Sequence, residues 1–227
     1  MRPEGSAPNI AWLYSGNWHL STEGQLCRRV DMEERMPISP HSLLEHVSPD
    51  ELPDDLRALH RSSLDAVGEA ERIEVFGSHP DLYRWYVENF YGRIFADGAP
   101  GMVVERRWKE LLRLKMSLTN GCFVCNRANI PTALTAGFSR AQVDAILAPT
   151  GEDFDEAELA VLELGDQFVM GNKDGQLTTD LYARLRHHFS DAEILELGLI
   201  ATVLTAWTRM MFVFDLVTRE DSCAVPG

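Results

Sequence analysis

The sequence predicts a single all-α domain, a helical bundle that oligomerises. Three observations carry this. Apolar residues recur at helical spacing along most of the chain, no segment alternates cleanly with period two, and Gly, Pro, Ser and Thr stand where helices stop and start. The 227 residues are enough to bury a sizeable core, and no linker or internal repeat divides them. The chain therefore reads as a polar, partly irregular N-terminal extension, residues 1–51, and a helical domain, residues 52–227.

In order along the chain, the extension lacks the apolar stretch of a signal peptide, and Met32 or Met36 offers an alternative start. Pro37 to Pro53 is an extended lead-in. The spacing of Leu56, Leu59, Leu64 and Val67 predicts a helix from Asp54 to Glu71. His79 to Phe95 follows, with Pro80 in its first turn; Tyr83, Tyr86, Val87, Phe90 and Ile94 recur at helical spacing and read as an aromatic core stripe. The next helix, "VVERRWKELLRLKMSLTNG", stops at Gly121. Cys122 opens another that runs to Gly137, and Pro131, which has no N–H, should kink it.

Ser139 and Gln142 form a capping box for Arg140 to Leu147. The acidic run Asp153 to Glu158 suits the first turn of a helix reaching Met170. Thr178 or Thr179 caps "DLYARLRHHF", and Ser190 or Asp191 caps the long last helix. Its apolar run, Leu197 to Val217, is as long as a bilayer span of about 20 residues, but Arg209 and Asp215 lie inside it. It reads as a buried helix of the core or of a subunit interface, with Leu199, Val203, Ala206, Met210 and Phe214 repeating along it.

Composition excludes some partners. With 35 acidic and 21 basic side chains the net charge is −14, which repels phosphate backbones and anionic lipid, so neither nucleic acid nor membrane is expected. Four cysteines, Cys27, Cys122, Cys125 and Cys223, are no disulfide scaffold and suit the reducing cytoplasm.

Only Cys122 and Cys125 are neighbours, in "SLTNGCFVCNRANIPTAL". A structural zinc needs four ligands, and His187, His188, Cys27 and Cys223 stand at no recognisable spacing to supply the other two. A thioredoxin-like site would need a βαβ unit. A cysteine pair one turn apart at a helix N-terminus favours thiolate chemistry, against the plainer reading of two small core residues. Glu110 lies twelve residues before Cys122, roughly 40° from Leu114 around its helix and 80° from Leu118. A carboxylate half-buried there is placed to relay protons near neutral pH; the plainer reading is a solvated Glu paired with Arg106 or Arg113. His79, His187 and His188 read as surface or capping residues.

A Glu a dozen residues before C-x-x-C, then helix, Gly and "GFSRAQVDAI", resembles the carboxymuconolactone decarboxylase and alkylhydroperoxidase-D (AhpD-like) superfamily. The resemblance spans Leu52 to Val217, through "SHPDLYRWY", "RRWKELLRLKMSLTNGCFVCNRAN" and "LRHHFSDAEILELGLIATVL". It implies an all-α fold, trimers or hexamers, and a peroxidase branch that needs no metal or organic cofactor. It also implies that Cys125 attacks the peroxide, Cys122 resolves it, and Glu110 belongs to the proton relay. The family's relay continues through a His where this chain has Asn129, an amide that does not titrate.

The function expected is a thiol-dependent oxidoreductase that reduces hydroperoxides and is recharged by an external dithiol, slow because Asn129 replaces the His. The alternatives are a cofactorless decarboxylase, lyase or isomerase on a small organic acid or lactone, and an assembly protein without catalysis.

Overall fold

The computed structural model describes strands at residues 18–20 and 26–28 and the chain from 40 to 96 and from 98 to 220. Two compact units emerge, residues 1–37 with 225–227 and residues 38–224, and each is described by itself. Met32, Met36, Cys223 and the side chain of Cys27 lie outside the described residues.

In the first unit β1 (Trp18–Leu20) pairs antiparallel with β2 (Leu26–Arg28), Trp18 opposite Arg28 and Leu20 opposite Leu26. These strands fall in the N-terminal extension, outside the segment expected to form the helical domain. Strands of three residues are too short for alternation to register in the sequence.

The second unit is helical. Residues 40–53 lead in without helix and are tied down by Val47 N–H donating to Glu74 O (3.1 Å) and by Leu52 buried against Leu56 and Ile73. α1 (Asp54–Val67) ends earlier than the apolar pattern predicts, because Gly68 takes a left-handed conformation (φ 77°) that L residues avoid. After α2 (Glu71–Phe76) comes α3 (Pro80–Tyr86), capped by His79. A π-helical turn, Val87–Tyr91, then passes into α4 (Gly92–Phe95).

α5 (Arg106–Asn120) is the central helix, in contact with α6 (Phe123–Thr135), α8 (Glu156–Phe168) and α10 (Asp191–Val213). Its Leu111, Leu112, Leu114 and Met116 are fully buried, and each such side chain contributes about 1.5–3 kcal/mol of burial. Gly165 of α8 lets the two helices meet closely: a Cβ there would lie 3.1 Å from Leu112 Cδ1. α7 (Arg140–Ala145) and α9 (Thr179–His188) complete the bundle. Ser139, Thr178 and Ser190 cap as the sequence predicts, Thr178 accepting from Leu181 N–H, and Asp155, expected inside a first turn, is instead the N-cap of α8; Ser139, Asp155 and Ser190 each make both hydrogen bonds of a capping box.

Charges are buried too. Lys109 pairs with Glu196 of α10 (2.8 Å) and donates to Ile94 O (2.9 Å), while the other Glu196 oxygen accepts from Val103 and Val104 N–H. That network holds the segment before α5 against α10.

α10 is the one helix among the described residues long and apolar enough to cross a membrane by length and composition. Its Leu197, Ile200, Ala201 and Leu204 pack in the core. The predicted repeat is divided: Leu199, Ala206 and Phe214 are exposed, whereas Val203 and Met210 are partly buried against the core. The helix is apolar on both faces, and the repeat alone does not say which face its own chain covers.

Candidate active site

Gly121, with φ 68°, ends α5 and turns the chain so that Cys122 becomes the N-cap of α6. The first turn of α6 then brings the two sulfurs together, and Cys122 and Cys125 form a disulfide. Cys122 Sγ also accepts from Cys125 N–H (3.3 Å). The C-terminal segment braces this turn. Phe123 N–H donates to Thr218 O (3.2 Å), Glu220 N–H to Gly121 O (2.7 Å), and Glu220 accepts from Asn126 Nδ2 (2.6 Å).

The two cysteines are not equivalent. Cys122 is fully buried among Val67, Val124, Met211 and Val217. Cys125 is partly exposed and lines a cavity of about 190 Å³. Asn129, one turn further along α6 and itself buried, lines the same cavity. α6 continues as helix beyond Pro131 to Thr135, and Thr132 Oγ1 donates to Asn129 O (2.8 Å).

Glu110 differs from its expectation. Its side chain is wholly enclosed rather than half-buried, closely ion-paired with Arg113 and 3.3 Å from Arg106 Nε. Helix angles place it at the edge of the apolar face, but α5 is covered by three other helices, so the edge lies inside. The ion pair with the flanking arginines is present, without the solvent exposure that usually accompanies it. Glu110 is not part of the cavity wall; Arg113 is. Arg113 joins the carboxylate to the cavity, donating to Thr132 Oγ1 (2.6 Å) and Tyr91 Oη (2.9 Å), with its guanidinium 4.3 Å above the Phe95 ring.

Sequence reasoning missed most of the remaining wall. The stripe read as aromatic core is split by the π-helical turn: Ile94 enters the core, whereas Tyr83 and Tyr86 face the cavity and Phe90 is 37% exposed. π turns inside helices recur at functional sites. Tyr86 stacks on Trp207 (centroids 3.6 Å, planes 3° apart), and Trp207 stacks on Phe76 (5.6 Å, 7°). Burial, helped by the Tyr91 and Tyr83 phenols, pushes the Tyr86 hydroxyl far above its ordinary range, so it stays protonated. Arg72 of α2 also lines the cavity, and burial lowers its pKa from the ordinary value. It donates to Glu69 O (3.2 Å) and Ser63 Oγ (2.8 Å). Arg113 was legible three residues after Glu110; Arg72 and Trp207 arrive from remote helices and carry no local signal.

His79 caps α3, His187 and His188 are exposed, and none of the three lines the cavity. Among the described residues no group of three or more His, Cys, Asp or Glu is arranged to hold a metal ion.

Residues 80–167 match the Carboxymuconolactone decarboxylase family. The Bacillus subtilis (strain 168) protein YdfG is 26% identical over 108 residues, 47% of this chain and 73% of its own. The alkylhydroperoxidase AhpD core of a peroxidase-related protein from Ralstonia eutropha JMP134 superposes with a TM-score of 0.58 at 17% identity, over 81% of this chain and 95% of that one. The debrominase Bmp8, in complex with 2,3,4-tribromopyrrole, superposes at 0.56 and 19% identity, over 81% and 95%. At these identities the structures speak for the fold alone. The chain has an alkylhydroperoxidase-D-like helical fold related to carboxymuconolactone decarboxylase, with its cysteine pair at the start of α6.

Proposed function

We propose that this protein is a thiol-dependent oxidoreductase that reduces hydroperoxides through Cys122 and Cys125. One observation carries the reading: the two cysteines are disulfide-bonded, with Cys125 on a cavity and Cys122 buried behind it. That asymmetry supports Cys125 as the attacking thiol and Cys122 as the resolving one.

In the dithiol form the Cys125 thiolate attacks one oxygen of ROOH. The O–O bond breaks, ROH leaves with a proton, and Cys125 becomes a sulfenic acid. The Cys122 thiol then displaces water from it and closes the disulfide. An external dithiol reduces that disulfide by exchange and is itself oxidised. Two guanidiniums, Arg72 and Arg113, share the cavity with Cys125, the electropositive setting in which thiolates react.

The proton for the leaving alkoxide is the weak point of the site. Glu110 is committed to Arg113 and Arg106, and Asn129 does not titrate, so turnover is slow. Arg113 and water held by Asn129 are the groups left to orient the leaving oxygen.

A reducing compartment such as the cytoplasm suits a pair recharged by dithiol. The exposed apolar face of α10, with Leu195, Leu199, Val213 and Phe214, is the surface on which a trimer or hexamer would form. A monodisperse 25.6 kDa monomer in light scattering at micromolar concentration would overturn the assembly.

The test of the reaction is peroxide consumption with a dithiol donor. Wild type turns over and Cys125→Ser does not, and peptide mapping after sub-stoichiometric peroxide finds the Cys122–Cys125 disulfide. Consumption that survives Cys125→Ser defeats Cys125 as the attacking thiol, and a wild type inactive toward peroxides moves the lyase and non-catalytic readings ahead.

A further inference from the structure

We propose that the cavity beside Cys125 selects a single-ring, planar hydroperoxide that carries a carboxylate, with Arg72 as the anion anchor and the stacked Tyr86 and Trp207 rings as the aromatic wall. The inference rests on the thiol-peroxidase reading and names its substrate class.

The first ground is an excess of donors. The Tyr86 hydroxyl and Arg113 Nε are both buried without a protein hydrogen-bond partner, and both residues line this cavity. A buried unsatisfied donor is costly, and an incoming acceptor removes that cost.

The second ground is a buried guanidinium with no carboxylate hydrogen-bonded to it, the Glu69 carboxylate acting on it only through space. Glu110 offsets Arg113, but the hydrogen bonds of Arg72 go to two uncharged oxygens, Glu69 O and Ser63 Oγ. The Glu69 carboxylate is engaged elsewhere, accepting from Thr218 N–H at 3.2 and 3.3 Å. A guanidinium held in a fixed position offers a planar fork that fits a carboxylate.

Size and shape supply the third ground. An apolar cavity of about 150 Å³ holds benzene, so the space of about 190 Å³ here has room for one ring with small substituents. The stacked rings of the wall favour edge or offset contact with another ring. With its carboxylate on Arg72, the ligand presents its O–O bond to Cys125, and the thiolate step runs as written above.

The experiment separates the pocket from the chemistry. Benzoate, which carries no peroxide, is titrated into the disulfide form of the full chain by calorimetry, with benzyl alcohol and hexanoate alongside. In parallel, cumene hydroperoxide and its 4-carboxylate are compared as substrates. We expect benzoate to bind best, and the carboxylate to lower KM at least about tenfold, the worth of one charge-assisted contact. Arg72→Gln should erase both preferences, raising KM for the 4-carboxylate and leaving KM for cumene hydroperoxide near its wild-type value, and Arg72→Lys, which keeps the charge, should restore part of each. Thermal melts confirm that both variants are folded.

Equal KM values for the two hydroperoxides, with no benzoate binding, overturn the inference and leave the peroxidase reading standing. Arg72-dependent benzoate binding without turnover of either hydroperoxide overturns the peroxidase reading, and with it the hydroperoxide half of the assignment.

Discussion

The α8–α9–α10 end of the domain and the wall around Cys125 are built on different principles. The first is closed by aliphatic side chains, Leu162, Leu181, Leu185 and Leu197, and α9 and α10 begin at caps that the sequence announces. The second is assembled from α2, α3, α5, α6 and α10 and buries arginines, phenols and an amide around a cavity. One region is consistent at every level and adds stability. The other carries buried charge and unsatisfied donors, costs that a folded chain retains where a ligand offsets them.

The sharpest way to break this contrast is at Glu110. Glu110→Ala leaves the Arg113 guanidinium buried without its carboxylate, and losing one partner of a buried pair costs about 3–5 kcal/mol. Urea denaturation should show that loss together with a collapse of peroxide turnover. An unchanged midpoint would mean that the pair is not a structural unit.

At the aliphatic end, Leu185→Ala should cost about 2–5 kcal/mol from the cavity it leaves. Here KM and kcat, measured well below the melting transition, should stay at wild-type values. A shifted KM would show that the two regions are coupled.

Asn129→His tests the site in the opposite direction, as a gain. A titratable ring one turn from Cys125 should raise alkyl hydroperoxide turnover about tenfold, with a new pH dependence between ~6 and ~7. Asn129→His with Pro131→Ala is the companion variant, because the imino acid shapes the turn that carries the ring. No gain in either variant, beside a robust wild-type rate, would assign Asn129 to another mechanism.

The smallest effect lies outside both regions. Hydrogen bonding from Arg84 lowers the Asp55 pKa from 3.8 to about 2. A depressed carboxylate pKa stabilises the fold above the unfolded value, and that contribution is lost as pH falls through the folded one. Asp55→Asn should therefore lower the melting temperature slightly near neutrality, and the difference should vanish as the pH falls to about 2. A difference that persists there would point to packing and not charge.

Much of this molecule is legible one segment at a time. Ser139, Asp155, Thr178 and Ser190 start helices because their side chains bond backbone N–H groups two or three residues on, and Gly121 ends α5 because it accepts a positive φ. Cys122, Cys125 and Asn129 follow the same logic: they lie one turn apart on a single helix, so their spacing already puts them together. The two three-residue strands were too short to read, and the end of α1 turned on one glycine conformation that the apolar pattern outran.

By itself, the sequence determined most of the helices, the Ser139, Thr178 and Ser190 caps and the cysteine pair, since these depend on hydrogen bonds and side-chain periods within one turn; it did not show α2 or the π turn. Only the tertiary structure decided that Glu110 is enclosed, that the aromatic stripe splits between core and cavity, and that Arg72 and Trp207 share a wall with Cys125. The physical reason is range. Burial and charge pairing are set by whichever distant element packs against a face, and no local spacing encodes which element that is.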